Sequence, residues 1–217
     1  MPGTIPLWIK LTYTLYVGIV IVRYWRVYGP TNFLYFCDAA LLMAVPALWL
    51  ENALLASAAA VGILVPQTLW FVDFLCELCG FPLTGMTAYM FKPTITLFTR
   101  LLSSFHMWLP FFLLWLVAHL GYDPRALAVW TLLGWTLMVV CYFVVPAPPA
   151  ASSQPNRPVN VNYVFGLNDE RPQRLMPGWL YFVLLLIFMP VCIYWPTHML
   201  LSYLFPEAPP TASGRFY

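Results

Sequence analysis

Apolar runs of about 20 residues recur along this chain, and they constrain its fold more than any other feature. At about 1.5 Å per residue, a helical run of this length crosses the ~30 Å hydrocarbon core of a bilayer. Of the 217 residues, 62% are hydrophobic and only 8% are charged. A soluble fold of this size cannot bury so much apolar surface. The sequence therefore predicts an all-α protein, a polytopic membrane helix bundle.

Six transmembrane spans are predicted, and together they form a single domain over residues 1–205. They cover about residues 5–22, 31–50, 53–75, 101–121, 126–146 and 177–205. The connector 76–99 is only moderately apolar and contains Gly80, Pro82 and Gly85, which is typical of an interfacial or re-entrant segment. The polar, proline-rich tail 206–217 is predicted to be disordered.

The positions of lysine and arginine predict an orientation. The loops after the odd-numbered spans hold seven basic residues: Arg23, Arg26, Lys92, Arg100, Arg157, Arg171 and Arg174. The opposite side holds Arg125 and Arg215, joined by Lys10 if its side chain snorkels that way. This asymmetry favours loops with odd numbers in the cytoplasm and both termini outside.

Several function classes are excluded by what the sequence lacks. The net charge of +2 is spread over loops, so no basic patch offers a nucleic-acid site. No phosphate-loop, nucleophile-elbow, zincin or dinucleotide-binding motif is present. The pair Cys76 and Cys79 would supply only two of the four ligands that zinc needs. We expect no cofactor, no metal and no nucleic-acid partner.

Scarce polar residues collect at one predicted membrane depth, on the arginine-rich side. Two open the second span, one closes the third, one lies inside the fourth, and two precede the last: Cys37, Asp38, Asp73, His106, Asn162 and Tyr163. A charged side chain in lipid costs about 2.5–3.5 kcal/mol even on the lenient insertion scale, so such residues usually mark a site. We expect the functional site in this layer.

Helical spacing gives a second argument for the same layer. Gln67, Trp70 and Asp73 recur every three residues in the third span, and Ser103, His106 and Pro110 every three to four residues in the fourth. Both polar faces should turn toward the bundle interior, because lipid offers polar groups no partners. Trp70 thereby joins Asp38, Asp73 and Tyr163 as a supporting residue.

A cysteine and a histidine at one depth suggest thiolate catalysis. His106 would accept the proton of Cys37, and Asp38, Asp73 or Asn162 would orient the imidazole. The position of Cys37 near a helix N-terminus would favour a thiolate. The alternative is that Cys37 is a small buried hydrophobe and that His106 makes a hydrogen bond between helices.

Three stretches resemble the YwaF-like family of bacterial integral membrane proteins. Phe33-Leu-Tyr-Phe-Cys37-Asp38 resembles that family's LPLHLC(D/N) motif, with Phe33 and Tyr35 where the motif has Pro and His. Ser104-Phe-His106-Met-Trp-Leu-Pro110 is similar to its intramembrane histidine segment. Val161-Asn162-Tyr163-Val-Phe165, followed by Pro172, resembles its NYxFL…P element. The family more distantly resembles an animal transmembrane acyltransferase that moves acyl groups between phospholipids through a cysteine.

The resemblance implies a role for each matching residue. Cys37 would be the acyl-accepting nucleophile, His106 its base, and Asn162 an orienting or oxyanion group. A phospholipid or lysophospholipid would be the partner, and a bacterial inner membrane the location. The leading hypothesis is thus a lipid acyltransferase or hydrolase that opens to the cytoplasmic leaflet. The alternative is a non-enzymatic carrier or lipid- or partner-binding subunit, with a structural or proton-relay polar cluster.

Overall fold

The computed structural model describes residues 4–81, 83–149 and 156–209, and it confirms an all-α helical bundle. Within these ranges lie eight α-helices: α1 Leu7–Val27, α2 Phe36–Trp49, α3 Ala53–Leu78, α4 Leu97–Ser103, α5 Phe105–Leu120, α6 Ala126–Val144, α7 Gly178–Phe188 and α8 Trp195–Leu204. Because α4 continues into α5 and α7 continues into α8, the described chain has five rods long and apolar enough to cross a membrane.

The helix α2 is shorter than the five rods, at 14 residues. A 3₁₀ turn, Pro30–Leu34, precedes it and occupies the start of the predicted second span. Fourteen residues of α-helix cover about 21 Å, which is less than the hydrocarbon core. The polar residues at its start, Cys37 and Asp38, therefore lie inside the bundle rather than beyond it.

The helix α3 lies at the centre, where it packs against α2, α5 and α6. Its first half is a run of small residues from Ala56 to Gly62, and five of its alanine and valine side chains are fully buried. Small residues let neighbouring backbones approach closely, which is how helices associate in lipid. At Gly62 the indole of Trp130 from α6 lies directly against the α3 backbone.

Both described ends of the chain lie at the same end of the bundle. The Ile5 amide donates to Glu51, and Lys10 forms an ion pair with that carboxylate at 2.8 Å. The Tyr122 amide donates to the Pro206 carbonyl, and Ala208 donates back to Tyr122. Residues 210–217 of the predicted disordered tail lie outside the described residues.

The opposite end, which we call the arginine-rich end, is formed by residues 28–35, 79–81, 83–96 and 156–176. Two contacts join the first of these segments to the last: Arg157 lies against Gly29, and Asn162 bonds to the start of α2. The connector before α4 contains one short 3₁₀ turn, Ala88–Phe91. Every polar residue singled out above lies at or just inside this end.

Prolines interrupt several helices without ending them. Pro46 lies in α2, Pro66 in α3 and Pro110 in α5. Pro190 lies in a π-helical stretch, Met189–Tyr194, that joins α7 to α8. Proline lacks the amide that would bond four residues back, so the carbonyl of His106 loses its helical partner at Pro110.

Candidate functional site

Asp38 is a buried carboxyl in the first turn of α2, with 3% of its surface exposed. The side-chain amide of Asn32, in the preceding 3₁₀ turn, donates to Asp38 Oδ2 at 3.0 Å. The other oxygen, Oδ1, is buried and has no hydrogen-bond partner. The positive end of the α2 dipole favours negative charge here, but an unpaired buried carboxylate oxygen is costly.

Three tyrosines lie within electrostatic range of this carboxyl, without a hydrogen bond to it: Tyr24, Tyr28 and Tyr89. The Tyr28 hydroxyl is buried without a hydrogen-bond partner, and burial raises the pKa of Tyr28 to about 12. The Tyr24 hydroxyl shares a 2.6 Å hydrogen bond with Ser103. At neutral pH these hydroxyls are neutral and able to donate protons in hydrogen bonds.

Cys37 occupies the second position of α2 and is half-buried and free of disulfide bonds. Its thiol lies within electrostatic range of Tyr89 and Tyr163. No hydrogen bond joins Cys37 to His106 in the part of the chain that the structure describes. The proton transfer expected from the Cys37 thiol to the His106 imidazole therefore has no direct hydrogen bond between the two groups.

Asn162 bonds to the backbone at the start of α2. Its amide nitrogen donates to the Leu34 carbonyl at 2.8 Å, and its amide oxygen accepts from the Phe36 amide at 3.1 Å. It also donates to the Cys141 sulfur at 3.6 Å. The first amides of a helix have no internal partner, so Asn162 caps α2 from a distant loop. Both polar atoms of its side chain are already engaged.

Asp73 is fully buried and organises the connector that follows α3. Its Oδ1 accepts from the backbone amides of Leu83, Thr84 and Gly85, and its Oδ2 accepts from the amide and hydroxyl of Thr87. Five donors on one carboxylate hold it ionised and fixed. This residue is a loop anchor in the structure.

His106 lies in the first turn of α5, which packs against α3. Its Nδ1 shares a 3.0 Å hydrogen bond with the Gln67 side-chain amide, and its ring stacks on Trp70 at 4.6 Å between centroids. When the amide nitrogen of Gln67 donates, the imidazole is neutral with its proton on Nε2. The ring would become a base at Nε2 only if the Gln67 amide turned its oxygen to Nδ1.

Two aromatic rings in the turn Ala88–Phe91 link these groups. Phe91 stacks on Phe74, which stacks on Trp70, and Trp70 stacks on His106. Tyr89, from the same turn, lies within electrostatic range of both Cys37 and Asp38. The connector predicted to be interfacial thus joins the histidine group through stacked rings, and its Tyr89 lies within electrostatic range of the Asp38 group.

The structure separates the predicted site residues into three kinds of environment. Asn162 and Asp73 are bonded to backbone, His106 and Trp70 form an aromatic and amide group on α3 and α5, and Cys37 and Asp38 begin α2. The backbone carbonyl of Tyr163 accepts from the Tyr181 hydroxyl. Tyr28, Tyr89 and Asn32 were not predicted, because they lie in connectors where no periodicity distinguishes a buried polar side chain from an exposed one.

No group of three or more metal-ligating side chains occurs within residues 4–81, 83–149 and 156–209. His198 bonds to the Tyr122 hydroxyl near the chain termini, and His119 stacks on Trp115, both away from His106.

The fold and site define an integral membrane helix bundle with a buried polar layer at its arginine-rich end. No protein-family model, no curated protein and no solved structure matches the chain.

Proposed function

We propose that this membrane protein acts without covalent chemistry, as a small carrier or lipid-binding subunit whose buried Asp38 takes up and releases a proton. The observation that carries this proposal is the Asp38 Oδ1 atom, which is buried and has no hydrogen-bond partner. Asn162 and Asp73 are bonded to backbone and His106 is bonded to Gln67, so these three have less freedom to change state.

Protonation would convert Asp38 Oδ1 from an unpaired acceptor into a donor. The neutral acid costs less in apolar surroundings than the carboxylate does. Asn32 can donate to Oδ2 in either state, so it would hold the group in place during the exchange. A buried acid that changes charge within a helix bundle is typical of proton relays in transport proteins.

The proposal is tested by infrared titration of the full chain in lipid. We expect the difference between the wild-type and Asp38→Asn spectra to contain a carboxylic acid C=O band that titrates with pH. Asp123→Asn is the matched control, because Asp123 lies at the other end of the bundle in an ion pair with Arg125, and this variant should keep that band. Wild-type and Asp38→Asn spectra that titrate identically would contradict the proposal.

The second candidate is phospholipid acyl transfer through Cys37, and one observation favours it. The thiol is half-buried and unbridged in the first turn of α2. The resemblance of the Cys37, His106 and Asn162 segments to the YwaF-like family supports the same role.

In that reaction the Cys37 sulfur would attack the ester carbonyl carbon of a phospholipid. A C–S bond forms, the C–O ester bond breaks, and the thiol proton passes through His106 to the leaving lysolipid oxygen. A second lysolipid hydroxyl or water then attacks the thioester, and the thiol is restored. Asn162 would keep the start of α2 in position for both steps.

Mass spectrometry after incubation with a labelled phospholipid separates the two candidates. Acyl transfer predicts a hydroxylamine-sensitive acyl group on the Cys37 peptide that is lost in His106→Ala. Exposed Cys192 is the internal control for non-specific acylation. Equal acylation of both cysteines, or none on Cys37, would reject acyl transfer and leave the proton relay standing.

A further inference from the structure

We infer that the outer face of α1 binds an anionic phospholipid, with one acyl chain along the helix and the phosphate on Arg23 and Arg26. This face is a groove of about 800 Å³ that opens to the membrane. Its floor is apolar and its end at the bundle surface is basic. This inference does not rest on the proposed function, because the groove contains none of the residues of the polar layer.

The apolar part of the groove has the length and shape for a lipid tail. Leu11, Leu15, Ile19 and Val22 follow one another at three- to four-residue spacing, and all four are exposed. Gly18 lies in their middle, and a Cβ placed on it would meet no atom within 4 Å. From Leu11 to Val22 the helix rises about 17 Å over eleven residue steps, which matches much of one leaflet's acyl chains.

The basic part of the groove is held in place by hydrogen bonds and a ring contact. Arg23 donates from Nε to the Thr99 hydroxyl at 2.9 Å and from Nη2 to the Thr96 hydroxyl at 3.0 Å, and its guanidinium lies 5.9 Å from the Phe98 ring centroid. These contacts fix the arginine across α1 and α4 while leaving other N–H groups unused. Neither Arg23 nor Arg26 forms an ion pair with a carboxylate among the described residues.

Charge complementarity therefore indicates the ligand. Two cations without carboxylate partners, one turn apart on a helix, attract a phosphate diester at headgroup depth. A zwitterionic lipid carries a compensating ammonium and gains less from the same pair. The groove thus favours an anionic glycerophospholipid such as phosphatidylglycerol over phosphatidylcholine with the same tails.

Native mass spectrometry of the full chain with equimolar dioleoyl phosphatidylglycerol and phosphatidylcholine tests this selectivity. The wild type should retain the anionic lipid preferentially. Arg23→Gln and Arg26→Gln should each reduce the preference by about fivefold, the factor that about 1 kcal/mol per surface arginine implies. Arg174→Gln, an exposed arginine outside the groove, is the matched control and should leave the preference unchanged.

Two further variants separate lipid binding from loss of folding. Arg23→Lys keeps the charge and should keep most of the preference. Gly18→Leu places a side chain in the groove, at a position where a Cβ meets no other atom. It should reduce retention of both lipids without lowering the midpoint temperature of unfolding. Equal retention of the two lipids by the wild type would overturn the inference, and so would an unchanged preference in the Arg23→Gln/Arg26→Gln double variant.

Discussion

At the scale of single residues, Asn162 was predicted as a catalytic group, and its side chain forms hydrogen bonds with the backbone of another segment. It adopts a left-handed conformation with φ of 57°, which asparagine tolerates better than most residues. Its two bonds fasten the loop before α7 to the start of α2, more than a hundred residues earlier. The position of Cys37, one residue into α2 from the capped amide, therefore depends on Asn162.

Replacing Asn162 should destabilise the protein more than an exposed asparagine would. Asn162→Ala leaves the Phe36 amide and Leu34 carbonyl unpaired and adds left-handed strain, for a loss of about 2–4 kcal/mol. Thermal unfolding in detergent measures it, with the exposed Asn156→Ala as control. Asn162→Gly should recover the part due to strain. Identical midpoints for Asn162→Ala and the control would show that the cap is not structural.

The pH dependence of stability should include a term from Asp123. The Arg125 guanidinium bonds to this carboxylate and lowers its pKa, although burial opposes the shift. The carboxylate is thus favoured in the folded state, and its contribution is present above the unfolded pKa of about 3.9 and is lost as pH falls through the lower folded value.

Asp123→Asn should therefore lower the thermal midpoint at pH 7 and converge with the wild type in strong acid. Glu170→Gln, in the exposed part of the polar loop, is the comparison. A difference in thermal midpoint between the wild type and Asp123→Asn that grows as the pH falls would contradict this prediction.

At the scale of elements, contact between α3 and α6 depends on Gly62. A Cβ at this position would overlap the Trp130 indole, which is fully buried and cannot move aside. Gly62→Ala should therefore destabilise the bundle by about 1–3 kcal/mol or more, the usual range for overpacking. Gly18→Ala on the open face of α1 is the control and should be neutral or slightly stabilising.

A second variant makes the steric origin of this effect testable. Trp130→Leu removes the ring that the new methyl group would meet. In the double variant the Gly62→Ala substitution should cost much less than it does alone. If the losses of unfolding free energy from Gly62→Ala and Trp130→Leu simply add in the double variant, the effect of Gly62→Ala has a cause other than the clash with the Trp130 ring.

The conformation of the connector between α3 and α4 depends on hydrogen bonds to Asp73. Its five hydrogen bonds replace the regular secondary structure that residues 83–87 lack. Asp73→Ala should raise hydrogen exchange at the amides of residues 83–87 to near the rate of an open loop. Exchange elsewhere, for example around Asn162, should change little, and a uniform increase would indicate global unfolding instead.

At the scale of the whole molecule, hydropathy was sufficient to predict the fold class, because apolar length alone decides which segments can cross lipid. The residues at which the helices begin and end were less predictable. Helix α1 continues to Val27, past Arg23 and Arg26, because helix formation ends at the Gly29-Pro30 break rather than where hydrophobicity does. Residue counts predicted that the polar residues form one layer.

The partners within that layer were not predictable from the sequence. Depth places Asp73, His106 and Asn162 together, but the bonds that each makes depend on helix rotation and loop paths. Asp73 accepts from amides ten or more residues away, and Asn162 reaches across to residues 34 and 36. No short-range pattern records such pairings, so the same side chains were compatible with catalysis and with anchoring.

Charge asymmetry between the two ends should set the orientation of the bundle in a membrane. Lys92, Arg100 and the loop arginines lie at one end, with Cys79 exposed among them, and the Asp123–Arg125 pair lies at the other. The positive-inside rule then places Cys79 in the cytoplasm. In a chain with Cys79 as its sole cysteine, a membrane-impermeant maleimide should label only after the cells are permeabilised. A cysteine placed instead at Arg125 should label in intact cells, and the reverse pattern would show that the bundle is inserted the other way round.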